Sequence, residues 1–214
     1  MLPPVTIVWP CSLSVDAYVE AGRAVEFPRP DCPSCAAPMC WWSGYRRHVR
    51  LGGVCHRVFV PRVRCRSCGV SHALLPAFLL VGRLDVVESI GAVIEEVGAR
   101  RSGVRPTAGR LGVPHTTARG WWRRFRERAA RVAVGFAALA VDLGGEVVTP
   151  LREPAAWALE AITAAWRAAE ALPGWAVVGR WRFVASVSGG MVVTTNTDSP
   201  WLVVGNRRFM PPVP

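Results

Sequence analysis

Apolar residues change their spacing several times along the chain, and each change predicts an element. Residues 14–21 read as a short helix, and the Ser14 hydroxyl is placed to cap it. Residues 41–49 and 54–64 alternate instead, with Leu51, Gly52 and Gly53 between them, so this region predicts a β-hairpin. From 84 to 99, Val86, Ile90, Val93, Ile94 and Val97 return to a helical period. A Gly- and Arg-rich break over 98–105 precedes two further helical stretches. Between 154 and 171, Leu159, Ile162, Trp166 and Ala169 recur at spacings of three and four, the stripe of an amphipathic helix. Such a stripe buries either against the chain's own helices or against a second copy, which would make a homodimer. Beyond it, 181–187 and 191–195 read as strands of a second hairpin around Ser188, Gly189 and Gly190, and 210–214 read as a loose end. Four zones result: a lead-in over 1–25, a cysteine-rich ribbon over 26–80, a three-helix unit over 84–135, and a tail over 136–214 with one helix and a β-rich end. The expected fold class is α+β.

Composition narrows the function. The chain has 214 residues and a formal charge of +11, yet 51% of it is hydrophobic and 19% charged, which excludes a disordered polycation. That length leaves no room for a large catalytic core beside other modules, so a non-enzyme without a small-molecule substrate is expected. Long uncharged apolar runs are absent, and residues 1–9 lack the basic start and apolar core of a signal peptide. The expectation is a cytoplasmic, nucleoid-associated protein with no membrane partner. All 26 basic residues are Arg; a GC-rich genome would produce the same skew, so nothing functional is drawn from it. Their distribution says more. Residues 1–80 carry nine Arg against four acids, 81–135 eleven against five, and 136–214 six against six. A basic body with a neutral tail predicts a polyanion partner for the body.

Six of the seven cysteines fall within 26–80. Cys32-Pro-Ser-Cys35 and Cys65-Arg-Ser-Cys68 are two C-x-x-C knuckles, and two such knuckles can aim four thiolates at one ion. A segment this short, with few large aliphatics, buries too little surface to fold alone, so the expected cofactor is a structural zinc on Cys32, Cys35, Cys65 and Cys68. Disulfides or a redox dithiol are the alternatives, disfavoured by a cytosolic setting and by the presence of two knuckles. Cys11, Cys40, Cys55, His48, His56 and His72 are left over, and Cys40, Cys55, His56 or His72 could replace a member of the quartet. No adjacent Glu base marks the site as catalytic. The hairpin region carries Arg46, Arg47, Arg50, Arg57, Arg62, Arg64 and Arg66, with Trp41, Trp42, Tyr45 and Phe59 nearby. Such interleaving suits either nucleic-acid contact, with Arg46 and Arg47 as candidates, or a small ribbon using aromatics as core and arginines for solubility.

The stretch 104–125 is the most specific. Ala108 is small where two helices of a DNA-reading pair would meet, Gly112 suits a left-handed turn, and Pro114 can open the second helix. With Leu111, Val113, Ala118, Trp121 and Phe125 inward, helical spacing leaves His115, Thr116, Arg119, Gly120 and Arg123 on the outer face. Arg119 and Arg123 are the candidates for guanine edges, His115 and Thr116 for base edges or phosphates, and Arg124, Arg126, Arg128 and Arg131 for phosphates. Trp122 is expected to pack on a neighbouring domain or lie against the sugar-phosphate backbone. The alternative is an ordinary basic helical hairpin whose arginines solvate its surface.

The motif order over 27–130, C-P-x-C, then G-Y-R-R-H-V-R, then V-R-C-R-x-C-G, then L-G-V-P-x-T-x-x-R-x-W, resembles the DNA-binding front half of insertion-sequence transposases with an N-terminal zinc ribbon. It is similar also to stand-alone actinobacterial proteins of unknown function that share this front half. The resemblance implies Cys32, Cys35, Cys65 and Cys68 as zinc ligands and a reader helix over 115–126. Such transposases continue into an RNase-H-like domain with three acidic metal ligands. Here Asp142, Glu146, Glu153, Glu160, Glu170 and Asp198 are too few and too close to rebuild it. The expected function is sequence-specific binding of double-stranded DNA without catalysis, as a possible regulator. The rivals are a zinc-ribbon adaptor to polymerase or recombination machinery, and a truncated transposase remnant.

Overall fold

The computed structural model describes residues 6–193, which form six α-helices and a four-stranded sheet, a mixed α and β architecture. Asp198 and the expected end over 210–214 lie outside the described residues.

The lead-in supplies β1 (Ile7–Trp9) and α1 (Val15–Ala21). The Ser14 hydroxyl accepts the Ala17 N–H at 3.1 Å, satisfying one orphan donor of the first turn. β2 (Met39–Leu51) and β3 (Val54–Cys65) form the expected antiparallel hairpin, and β4 (Ser71–Pro76) pairs with β3. β1 joins β4 in parallel, so the sheet runs β1-β4-β3-β2 with β2 outermost. The hairpin turns at Gly52 and Gly53, whose φ values of 55° and 86° are ones that glycine adopts without a Cβ clash. Near its other end Trp42 is the extra residue of a β-bulge between Trp41, opposite Val63, and Ser43, opposite Arg62.

The helical zone holds α2 (Val87–Gly98), α3 (Val104–Arg110), α4 (His115–Asp142), α5 (Pro154–Glu170) and α6 (Arg180–Val187). α4 buries Ala118, Trp121, Phe125, Ala129, Val132, Ala133 and Phe136 and crosses residue 135 without interruption. α5 buries Ala155, Ala158, Ala161, Ile162, Ala165 and Ala169 and packs mainly on α4, so its apolar stripe is covered within the chain. At Gly98 a Cβ would lie 2.6 Å from the Leu159 Cδ1, which is why α5 also sits close to α2. No helix among the described residues is long and apolar enough to cross a membrane.

One expected element is corrected. Residues 181–187, expected as a strand, lie in α6, and residues 191–193 continue as coil and turn; Thr194 and Thr195 are outside the described residues. α6 buries Trp181, Phe183, Val184, Ala185, Ser186 and Val187, leaving almost no polar face. A short helix buried nearly all round loses the polar stripe that would distinguish it from a buried strand. Its placement is specific. Gly91 of α2 makes room for the Trp181 ring, which would lie 2.3 Å from a Cβ there, and Arg180 and Arg182 pair with Glu95 and Glu88 of α2, each at 2.5 Å. Arg182 also donates to the carbonyls of Cys11 (2.8 Å) and Leu13 (2.6 Å), tying the lead-in to α6.

Two contacts join hairpin to helices. Arg50, near the end of β2, makes a bidentate pair with Asp85 (2.6 and 2.9 Å), and the Arg50 main chain bonds Leu84 and Val86 on either side of that carboxylate. At the hairpin tip, Gly112 of the α3–α4 turn approaches Gly53 so closely that a Cβ would lie 3.2 Å from the Gly53 nitrogen. Asp85 is 3% exposed in its side chain and Arg50 19%, so removing one charge strands the other in a poorly solvated place. Asp85→Ala is expected to cost about 3–5 kcal/mol of unfolding free energy in urea titrations, and a loss below about 1 kcal/mol would show that the pair behaves as a solvated surface contact.

Candidate functional site

The two knuckles are built alike. In the first, Cys32 N–H donates to Ala37 O (2.8 Å) and Ala36 N–H to Cys32 O (2.8 Å); in the second, Cys65 N–H donates to Val70 O (2.9 Å) and Gly69 N–H to Cys65 O (3.0 Å). Each turn is closed by a left-handed residue four positions after its first cysteine, Gly69 at φ 73° and Ala36 at φ 57°. The β2–β3 register sets Met39 opposite Cys65, and an isolated bridge between Asp31 and Pro38 folds the first knuckle back toward the second.

The Sγ atoms of Cys32, Cys35, Cys65 and Cys68 therefore lie within 4.8 Å of one another. Cys32 to Cys68 is 3.6 Å and Cys35 to Cys65 is 3.4 Å. A tetrahedral ion with bonds near 2.3 Å to sulfur needs edges of about 3.8 Å, so the quartet can hold a metal ion after small side-chain shifts. All four are free thiols. The Cys65 thiol is pulled down to about 6, first by the Cys68 backbone N–H that points at its sulfur. Cys35 is pushed up to about 12: the Ala37 backbone lowers it, but the bond to Cys65, burial and the other two sulfurs together outweigh that bond. The hydrogen bonds among the sulfurs thus push neighbouring thiols in opposite directions, and a bound cation would displace their protons.

The other candidates do not join the quartet. His72 is buried with its Nε2 3.8 Å from the Cys32 Sγ, beside the four sulfurs rather than among them. Metal-site histidines in that position orient the ligand they touch. Cys40 donates to Arg64 O, Cys55 is exposed on β3 near the tip, Cys11 is buried in the lead-in, and His56 faces Asp16 at 3.7 Å.

On α4, His115, Thr116, Arg119 and Arg123 are exposed, whereas Gly120 and Arg124 are half-buried. Arg124 lies over Gly120, where a Cβ would sit 2.9 Å from its Nη1. A recess of about 460 Å³ brings together Thr116, Arg119, Gly120, Arg123 and Arg124 with Thr117, Trp121 and Arg83. His115 does not line it. Arg123 also faces Glu127 at 3.7 Å, an exposed pair of little energetic weight. Trp122 stacks on Phe125 with centroids 6.1 Å apart and borders Gly98 of α2, so it is partly buried against the chain's own helices. Arg46 and Arg47 part company. Arg46 is exposed on β2, but the Arg47 guanidinium turns inward and donates to the carbonyls of Leu80 (2.8 Å) and Arg83, which fixes the loop before α2. Burial lowers the Arg47 pKa, as expected for a cation withdrawn from water. Two contributors went unread in the sequence. Ala36 could have been found from its equivalence to Gly69, whereas Arg83 gives no local signal.

Residues 32–109 match a family described as a domain of unknown function (DUF6431). The matched stretch opens on Cys32, contains the whole quartet and the hairpin, and ends within α3, before α4 begins. No curated protein and no solved structure matches the chain.

Two outcomes are expected at the quartet. Cys65→Ser should lower the metal content of the purified protein, read by atomic absorption, and expose the hairpin base to proteolysis; an unchanged metal content would remove Cys65 from the ligand set. Ala36→Gly should stabilise the metal-loaded protein by about 1 kcal/mol, because a left-handed L-residue costs roughly that much; thermal unfolding of the two proteins side by side measures it.

Proposed function

We propose that the chain is a sequence-specific double-stranded DNA-binding protein, with α3, the Gly112 turn and α4 acting as a helix-turn-helix and zinc as a structural ion on Cys32, Cys35, Cys65 and Cys68. The observation that carries the reading is the division of α4 into two faces. Ala118, Trp121 and Phe125 are buried, while His115, Thr116, Arg119 and Arg123 project from the other side of the same two turns. A helix presented this way fits the major groove, where a guanidinium can bridge O6 and N7 of guanine. Around it Arg126 and Arg131 are exposed and extend the positive field along α4. Such charges supply affinity through phosphate neutralisation and counterion release, whereas the groove-facing residues supply sequence choice. The motif order, which resembles that of the front half of insertion-sequence transposases, supports the same reading.

Zinc suits the donor set because four thiolates favour a soft or borderline ion, and four protein ligands complete a tetrahedron with no position left for substrate. In this reading the ion's role is to cross-link the hairpin base, which has few large aliphatic side chains nearby to do so.

A second reading, an adaptor that docks on protein, is favoured by one patch. Trp41, Trp42 and Tyr45 are 57%, 51% and 43% exposed on the outermost strand, and the Arg64 guanidinium lies 4.7 Å over the Trp42 ring. Exposed aromatics beside arginine are typical of binding surfaces.

Selection of bound duplexes from a random pool separates the two. A consensus should emerge, and Arg119→Ala should lose roughly 1–3 kcal/mol on it with little change on random duplex. Equal losses on both would make Arg119 a phosphate contact, and no duplex binding at low salt would overturn the DNA reading in favour of the adaptor.

A further inference from the structure

The recess beside α4 contains one residue that a helix-turn-helix does not supply. Arg83 sits on the loop between β4 and α2, yet it lines the recess opposite Thr116, Thr117, Arg119, Gly120, Arg123 and Arg124. No carboxylate lines that recess among the described residues. Four arginines thus line one hollow with two threonines, and the Glu127 carboxylate that faces Arg123 at 3.7 Å is not part of that lining.

Arg83 is also held in place from several sides. Its Nη2 donates to Val193 O at 2.6 Å, and its own carbonyl accepts from Arg47. Its Nε is buried and has no hydrogen-bond partner among the described residues. Burial lowers its pKa, and the charges of Arg124 and Arg128 lower it further. A cation fixed among other cations is an arrangement that an anion relieves. The surroundings suit an oxyanion in particular. Thr116 and Thr117 lie in the first turn of the 28-residue α4, where the helix dipole favours negative charge, and the Thr117 N–H is already bonded to Pro114 O at 3.0 Å, which leaves its hydroxyl to face the hollow. Gly120, lacking a Cβ, lets the Arg124 guanidinium lie against the helix at the rim of the hollow.

We propose that Arg83 and Arg124, with the Thr116 and Thr117 hydroxyls, form a phosphate clamp that takes one phosphodiester of a DNA backbone beside the reader helix. This deepens the DNA-binding reading and rests on it. The clamp sets how α4 enters the groove, because Arg83 belongs to the loop that Arg47 and the Arg50–Asp85 pair fix to the hairpin. Register on the duplex is then defined by the whole fold rather than by α4 alone.

The chemistry recognised is a phosphate oxyanion, which a duplex backbone or a free phosphate can supply, and the experiment distinguishes the two. Duplex affinity is measured across a salt series for the full chain, Arg83→Gln and Arg124→Gln, and the melting temperature of each is recorded with and without inorganic phosphate. Expected are weaker binding to preferred and random duplexes alike, with the slope of log affinity against log salt smaller by about 1 in each variant. Inorganic phosphate should raise the melting temperature of the parent protein and leave that of Arg124→Gln unchanged. Arg83→Gln also loses the Val193 contact, so Arg124→Gln, which keeps it, decides the matter if the first variant folds poorly. If the parent binds duplex and Arg124→Gln retains the full salt slope, the clamp is wrong while the DNA reading stands. If phosphate stabilises the parent but no duplex binds, the DNA reading and the backbone clamp both fail, and the hollow belongs to a small phosphate ligand.

Discussion

The pairing of Arg50 with Asp85 governs the relation between the two chemically distinct parts of the molecule. It welds the end of β2 to the segment that starts α2, and main-chain bonds from Arg50 to Leu84 and Val86 make the weld two-sided. Close by, Gly52 and Gly53 rest on Gly112, with no side chain between the two backbones. Ion pair and glycine contact together fix the hairpin tip against the turn from which α4 emerges. A buried pair of this kind adds less to net stability than to definition of a single arrangement, because desolvation offsets most of its attraction.

That arrangement puts the cysteine quartet far from the helix face it supports. The sulfurs sit where Met39 faces Cys65, and the turn at Gly112 touches the opposite end of the ladder. β2 is 13 residues long, so the two ends are roughly 40 Å apart along the strand. An ion in the quartet would act on α4 by keeping the ladder in register, since a one-residue slip would put the exposed Arg57 and the half-buried Phe59 where Val58 and Val60 are now buried.

Much of the local structure was legible from residue spacing. Ser14 capped its helix, the glycine pair marked the hairpin turn, the two knuckles met, and α2 and α5 followed their apolar periods within a few residues. Failures came where neighbours, not sequence, decided. α6 looked like a strand because the core surrounds it on nearly all sides, and what fixes it as a helix is the Trp181 ring on Gly91 with Arg180 and Arg182 on α2 carboxylates. Arg46 and Arg47 looked equivalent, but adjacent strand residues face opposite ways, and one guanidinium found carbonyls to bind.

Composition and spacing alone determined that four cysteines could meet, that a basic two-helix unit follows them, and that α4 has an apolar and a cationic side. Those properties depend on backbone periodicity and on chemistry carried by each residue, which a sequence states directly. Tertiary structure alone decided that Arg83 shares a hollow with Arg124, that the lead-in adds a strand beside β4, and that the quartet lies at the far end of the hairpin from the helices. Such facts follow from which surfaces exclude water together, and that depends on the packing of the whole chain rather than on any segment of it.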